Sequence, residues 1–251
     1  MLLNTIMKVS CICPTYNRPP GSQWLVEEAI ESFLRQDYQD KELIVLNDCP
    51  GQELICDAPD VFVINLPRRF RSYGEKLNAG IALAQGSIIA LWNDDDIMLP
   101  WRLSKSLERL ADAGYYNPHA YWFLDSQGLH KDHAMGVGHI CSIFTRSAFD
   151  VVDGYPHTTG EEDQILDRRL KTHPGVKQAS LSGLRIDEWF YIYRWGVSPV
   201  HLSATRQSIE EWYKRIGEMP VEQGQYFLRP HWKEDYVRST RNAIGISPYL
   251  A

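Results

Sequence analysis

Asp94, Asp95 and Asp96 are three adjacent carboxylates, with Asn93 before them and Pro100 shortly after. Each ionised carboxylate repels the next, so the run is costly unless a cation lies nearby. Oxygen ligands of this kind suit Mg²⁺ or Mn²⁺ held against a diphosphate. That chemistry belongs to enzymes that handle activated phosphate esters. The competing reading is a solvated turn, since three acids in a row are common on surfaces. The context weighs against it, because the run directly follows the apolar stretch Ser87–Trp92, which reads as a buried strand.

Other elements converge on the same place. Lys8–Cys13, Glu42–Leu46 and Val61–Leu66 read as further buried strands, and the stretches from about Gln23 to Gln36 and from Glu75 to Ala84 read as amphipathic helices. Strands that alternate with helices predict an α/β fold with a mainly parallel sheet and helices on both faces. Ligands of such sheets bind beyond the carboxyl ends of the strands. Thr15, Asn17, Asp48 and the Asp94–Asp96 run all follow strand ends, so the fold gathers them at one rim. A nucleotide site is expected there.

After Pro100 the pattern changes. Trp101–Ala113 reads as a helix, Ala120–Leu124 and His139–Thr145 as strands, Arg146–Val152 as a short helix, Glu161–Leu170 as a helix and Glu188–Arg194 as an aromatic strand. Glu161, Glu162 and Asp163 occupy the first turn of their helix, where the helix dipole alone favours carboxylates. From about Ser203 the chain reads as helical and polar, with no chemical role evident.

Composition narrows the class. The net charge of −6 argues against a surface built for nucleic acid or anionic membrane. Local basic clusters remain at Arg68, Arg69 and Arg71 and at Arg168, Arg169 and Lys171. No apolar run approaches the ~20 residues of a membrane span. The N-terminus lacks the charged and apolar regions of a signal peptide. Five scattered cysteines fit a reduced, cytoplasmic protein. Cys11 and Cys13 point to one face of a strand as small buried hydrophobes, and no second pair stands at zinc-site spacing.

These residues together resemble a family 2 glycosyltransferase with a GT-A fold. The resemblance rests on four stretches in order: Val9–Arg18 with its Pro14-Thr15-Tyr16-Asn17 loop, Leu43–Asp48, Gly74–Gly86 running into Asn93–Asp96 and Pro100, and Gly154-Tyr155 followed by Glu162-Asp163 through Leu170. It implies a GT-A domain over 1–204, with a nucleotide-binding half at 1–100 and an acceptor half at 101–204, and a helical extension at 205–251. It implies a metal-dependent, inverting, hexosyltransferase-type enzyme that moves a sugar from a nucleotide-sugar donor to a hydroxyl acceptor, a saccharide being favoured. Pro14, Thr15, Tyr16, Asn17, Asp48, Lys76, Asn93 and Asp94 would meet the donor. Asp95 and His201 would hold Mn²⁺ or Mg²⁺. Asp163 would be the general base, with Glu162 beside it, and Arg169 and Arg194 would reach the diphosphate.

Two departures stand out. The family's acidic motif places Asp where this chain has Asn93, which can accept a ribose hydrogen bond but adds no charge. The base-contacting strand end reads Asn47-Asp48-Cys49-Pro50, which keeps only one acid and makes UDP the favoured donor. A non-catalytic nucleotide-sugar module and a transferase acting on a hydroxylated nucleobase in DNA are the alternatives. A nucleotidyltransferase would open on a Gly-rich basic loop, which Pro14–Asn17 is not. Gly136-Val137-Gly138 is too short for a phosphate fingerprint but would allow close backbone approach. Trp92, Trp122, Trp189 and Trp195 are candidates for sugar stacking or for the core. Oligomeric state is not legible.

Overall fold

The computed structural model describes residues 7–118, 120–132, 138–180, 184–196 and 208–245. Its first half alternates β1 (Val9–Thr15), α1 (Gln23–Leu34), β2 (Lys41–Asn47), β3 (Gln52–Ile55), β4 (Val61–Asn65), α2 (Tyr73–Leu83) and β5 (Ile88–Leu91). The second half carries β6 (Ile97–Met98), α3 (Arg102–Leu110), β7 (Tyr115–Tyr116), β8 (Tyr121–Asp125), β9 (Gly128–Asp132), β10 (Ile143–Thr145), α4 (Arg146–Val151), α5 (Glu162–Thr172) and β11 (Tyr191–Arg194). The C-terminal segment adds α6 (Ile209–Glu218), β12 (Gly224–Phe227) and α7 (Tyr236–Ala243).

The central sheet runs β4-β2-β1-β5-β10-β7. Its first four strands are parallel, with Ile12 paired to Ile44 on one side and Leu91 on the other, and β10 joins antiparallel. Both faces are buried. Cys11 and Cys13 share a core with Val26, Ala29 and Phe33 of α1. Ile12, one position out of phase, shares the opposite core with Leu77 and Ile81 of α2. Full burial of a side chain such as Phe33 or Ile12 contributes about 2 kcal/mol. All five cysteines are free, and burial pushes the Cys11 thiol up to about 12, as expected of a packing residue.

A second sheet, ordered β6-β11-β8-β9, sits across the rim. The acidic run lies between β5 of the first sheet and β6 of the second, so it bridges the two. Glycines bring the site elements close. A Cβ on Gly80 would stand 2.6 Å from Ile12 Cγ2, and one on Gly74 would meet the Pro156 carbonyl oxygen. The second contact packs the start of α2 against the loop that leads into α5.

The expected strands and helices are present, with changes at their edges. The helix from Gln23 stops at Leu34, and the expected strand His139–Thr145 divides into a 3₁₀ turn, His139–Cys141, and β10. The C-terminal segment is helical in part, but β12 pairs in parallel with β3. Gly-Gln-Tyr-Phe has no apolar run to announce a strand, and it becomes one because the β3 edge offers hydrogen bonds. Among the described residues no helix is long and apolar enough to cross a membrane.

Candidate active site

One cavity of about 370 Å³ opens at the carboxyl rim of the parallel sheet. Pro14, Thr15 and Tyr16 from the end of β1, Asp48 after β2, Lys76 on α2 and Asn93, Asp94 and Asp95 after β5 line it, as do Glu162 and Asp163 at the start of α5.

The structure sorts the three adjacent carboxylates. Asp94 is gripped by Arg18, whose Nε and Nη2 each donate at 2.7 Å, and by Thr15 Oγ1 at 2.5 Å. Burial pushes its carboxyl up, but the Arg18 guanidinium and these hydrogen bonds outweigh burial and hold it below the usual carboxylate range. Asp96 turns away from the cavity. It accepts from Asn93 Nδ2 at 2.8 Å, Tyr191 OH at 2.7 Å and the Arg194 amide at 2.8 Å. Burial, followed by the neighbouring Asp95 charge, pushes it up to about 6. Asp95 faces the cavity, and its Oδ2 takes the longer, 3.1 Å bond from Arg18 Nη2.

That sorting bears on a divalent cation. Among the described residues no three His, Cys, Asp or Glu side chains gather into a metal cage. Mg²⁺ and Mn²⁺ on nucleotides need no such cage, because one or two carboxylates and the phosphates supply the ligands. Asp95, on the cavity wall and not committed to a bidentate pair, fits that requirement. His201 lies outside the described residues, as do Gly136 and Val137.

Lys76 departs from a solvated helix face. It is 3% exposed, and its Nζ donates to Asp48 Oδ1 at 2.5 Å and to the Thr15 carbonyl at 2.7 Å. Burial pulls the ammonium down and the Asp48 carboxylate works against that. Asp48 Oδ2 also accepts the Phe70 amide at 2.9 Å. Asn17 is off the cavity: it adopts a left-handed φ of 51° and its amide donates to the Pro220 carbonyl at 3.2 Å.

Two arginines expected at the diphosphate lie elsewhere. Arg169 lies outside the cavity lining, and its Nη1 donates to the Gly154 carbonyl at 3.1 Å, closing the turn before α5. Arg194, 2% exposed, sits behind the acidic turn, where the alternation of β11 turns it away from the cavity. Trp92 and Trp122 are core residues, Trp189 packs edge-on to Trp122 at 5.5 Å, and Trp195 is 45% exposed.

Among the described residues Glu162 and Asp163 have sparser partners than Asp48 and Asp94. Glu162 accepts the Gly160 amide, and burial pushes its carboxyl up to about 6. Asp163 Oδ1 accepts the Gln164 amide at 2.7 Å.

Several wall residues lay outside the sequence reading of the site. Arg69 lies 4.5 Å from the Tyr16 ring centroid and 3.8 Å from that of Tyr213, and its Nη1 donates to the Tyr213 carbonyl at 2.9 Å. Trp212, Tyr213 and Ile216 of α6 also line the cavity. Arg69 was visible only as part of a basic cluster. The α6 residues gave no signal, because only the tertiary fold returns them to the rim.

The parallel sheet is covered on both faces and carries acids and a buried lysine at its carboxyl rim, and its α/β architecture is similar to that of GT-A glycosyltransferases. The glycosyl transferase family 2 profile matches residues 10–149, more than half of the chain, and the chain belongs to that family. It is 32% identical over 119 residues to the uncharacterized glycosyltransferase YwdF of Bacillus subtilis, a match covering 45% of this chain and 42% of that protein. The chain therefore spans less than half the length of that relative. TarS 1–349 of S. aureus, in complex with UDP-GlcNAc, is similar in fold with a TM-score of 0.55 and 17% identity, over 83% of this chain and 64% of that one. The mannosyltransferase PcManGT of Pyrobaculum calidifontis, in complex with GDP-Man and Mn²⁺, has a TM-score of 0.52 and 16% identity, over 84% and 61% of the two chains.

Proposed function

We propose that this chain is a metal-dependent, inverting glycosyltransferase that moves a sugar from a nucleoside-diphosphate donor, a UDP-sugar being favoured, to a hydroxyl of a saccharide. The observation that carries the reading is the meeting of Asp48, Lys76 and Asp95 with Glu162 and Asp163 on one cavity. The first three suit a nucleoside diphosphate and its counter-ion. The last two suit an acceptor hydroxyl.

In this reading Asp48 would accept a base N–H in addition to the bonds it takes from Lys76 and the Phe70 amide, and Lys76 would bring its buried positive charge toward the phosphates. Asp95, with His201 as its proposed partner, would hold Mn²⁺ or Mg²⁺. The chemistry such an ion supplies when bound is neutralisation of charge on the departing diphosphate. Asp163 takes the proton of the acceptor hydroxyl as its oxygen bonds to the anomeric carbon. The bond from that carbon to the phosphate oxygen breaks, and the nucleoside diphosphate leaves with the electron pair. Glu162 positions the acceptor or donor sugar.

The saccharide acceptor is favoured by one feature of the second sheet. Tyr121 and Phe123 of β8 and Tyr191 and Tyr193 of β11 alternate onto one face, continued by Trp195. Ring centroids follow at 6.3 Å from Tyr121 to Tyr193, 5.7 Å from Tyr193 to Phe123 and 5.8 Å from Phe123 to Trp195. Tyr121, Tyr191 and Tyr193 line the cavity, and exposure grows outward to Trp195. Tyr121 and Tyr191 are core residues that pack edge-on and support the row, and the half-buried Phe123 and Tyr193 with the exposed Trp195 would offer aromatic surface to the apolar face of a sugar ring. The division into a transferase domain, 1–204, and an extension, 205–251, belongs to the same proposal, as does a cytoplasmic location.

The test is release of UDP from UDP-sugars with a panel of oligosaccharides, wild type against Asp163→Asn. Transfer in the variant should fall by about 10²–10⁴-fold, the usual contribution of a positioned base, with UDP affinity unchanged. Equal turnover in the two proteins would remove Asp163 from the mechanism.

A further inference from the structure

The polar face of α1 is not solvated. Glu27, Glu28 and Ser32 are buried, because the chain from Phe227 to Tyr236 runs along that face. Gln23 Nε2 donates to the Phe227 carbonyl at 3.0 Å, the Arg229 amide to Glu27 Oε1 at 2.8 Å, and Trp232 Nε1 to Ser32 Oγ at 3.0 Å. Pairing of β12 with β3, continued by the Leu228 amide on the Ile55 carbonyl at 2.8 Å, anchors the start of this strap.

Glu28, 0% exposed, is where the strap meets the site. Its Oε1 accepts the Lys233 amide at 2.8 Å and Tyr236 OH at 2.9 Å. Its Oε2 accepts Arg194 Nη1 at 2.5 Å. Arg194 in turn donates through Nε to the Asp95 carbonyl at 2.5 Å and through its amide to Asp96 Oδ1 at 2.8 Å. Among the described residues Arg194 Nη2 is buried without a hydrogen-bond partner. The guanidinium is therefore held by Glu28 on one side and by the acidic turn on the other. A buried ion pair of this kind adds little net stability over a well-packed apolar pair. Its geometric effect is larger, because the guanidinium is a rigid planar fork, and fixing Nη1 fixes the direction in which Nε points.

We propose that residues 228–236 are a positioning strap for the Asp94–Asp96 turn, acting through Glu28 and Arg194. Docking of the strap then sets the backbone from which Asp95 reaches the cavity, and it couples the C-terminal segment to cation-supported donor binding. Glu28 is a positioning residue and touches no substrate. The inference rests on the reading of Asp95 as the cation-binding carboxylate.

The experiment compares wild type, Tyr236→Phe and Glu28→Gln by amide hydrogen exchange and by UDP affinity with and without Mn²⁺. Tyr236→Phe removes one O–H and keeps the shape of the side chain, so it decides the matter even if Glu28→Gln folds poorly. Loss of one hydrogen bond to a charged group should speed exchange in the 94–98 turn by about tenfold and weaken Mn²⁺-supported UDP binding by about fivefold. UDP affinity without metal should stay within about twofold, a split that a merely structural role does not produce. Faster exchange confined to 228–236, or equal losses with and without metal, would overturn the strap. Absence of Mn²⁺-supported binding in wild type would instead overturn the donor reading, and the exchange pattern would still decide the strap.

Discussion

Asp94 and Glu162 are buried carboxylates on the wall of one cavity, and they are held differently. Asp94 receives a bidentate arginine and a threonine hydroxyl, and it stays below the usual carboxylate range despite burial. Among the described residues Glu162 receives backbone amides and no cation, and burial pushes it up to about 6. The same pattern extends to their neighbours. Lys76 sits on Asp48, whereas Asp163 accepts the amide of the next residue. Side chains of one chemical type are thus held in two ways. Arg18 fixes Asp94 as a charge at the β5 end of the cavity. At the start of α5 burial pushes the Glu162 carboxyl up and Asp163 accepts a backbone amide, an arrangement in keeping with the proposed role beside an acceptor hydroxyl.

The sharpest way to break this contrast is Arg18→Met. It leaves Asp94 buried without its cation, and removal of one partner of a buried pair costs about 3–5 kcal/mol. Denaturant unfolding should show that loss near neutral pH, with a smaller loss in acid, where Asp94 is protonated. A loss below about 1 kcal/mol would mean that solvent reaches Asp94 and that the β5 end of the cavity is not fixed by this pair.

Glu162→Gln tests the other side. The folded-state value of Glu162 lies above its ordinary value of 4.5, at about 6. Its contribution to stability is therefore full below pH 4.5 and lost as pH rises through 6. The variant has no such loss. Relative to wild type it should gain stability between pH 4.5 and 6.5, by up to ~2 kcal/mol. Asp94 predicts the opposite slope, with stability present above the ordinary carboxylate range and lost as pH falls. A flat difference between Glu162→Gln and wild type would place Glu162 in water.

Legibility in the sequence follows the same division. The parallel strands were readable because both of their faces are buried, which leaves near-continuous apolar runs such as Leu43–Leu46 and Ile88–Leu91. The acidic run was readable because its residues are adjacent. Its internal sorting was not, since Arg18, Tyr191 and Arg194 reach it from 76 to 98 positions away. Arg194 and Arg169 have the charge of phosphate ligands, and only the alternation of β11 and the turn before α5 show that their partners are protein groups. β3 and β12 lack apolar periodicity and exist as a pair, so neither is visible alone. Glu28 gives no signal in the sequence, because its burial depends on the chain from 227 to 236 lying over α1.

In the proposed function the β5 end of the cavity binds a nucleoside diphosphate through Asp95 and a divalent cation. The most direct measurement is a calorimetric titration of UDP, GDP, CDP and dTDP, each with and without Mn²⁺, into wild type and Asp95→Ala. UDP binding that strengthens with Mn²⁺ in wild type and loses that gain in Asp95→Ala is the expected result. Nucleotide binding that ignores both the metal and Asp95, or no binding of any nucleotide, would contradict it.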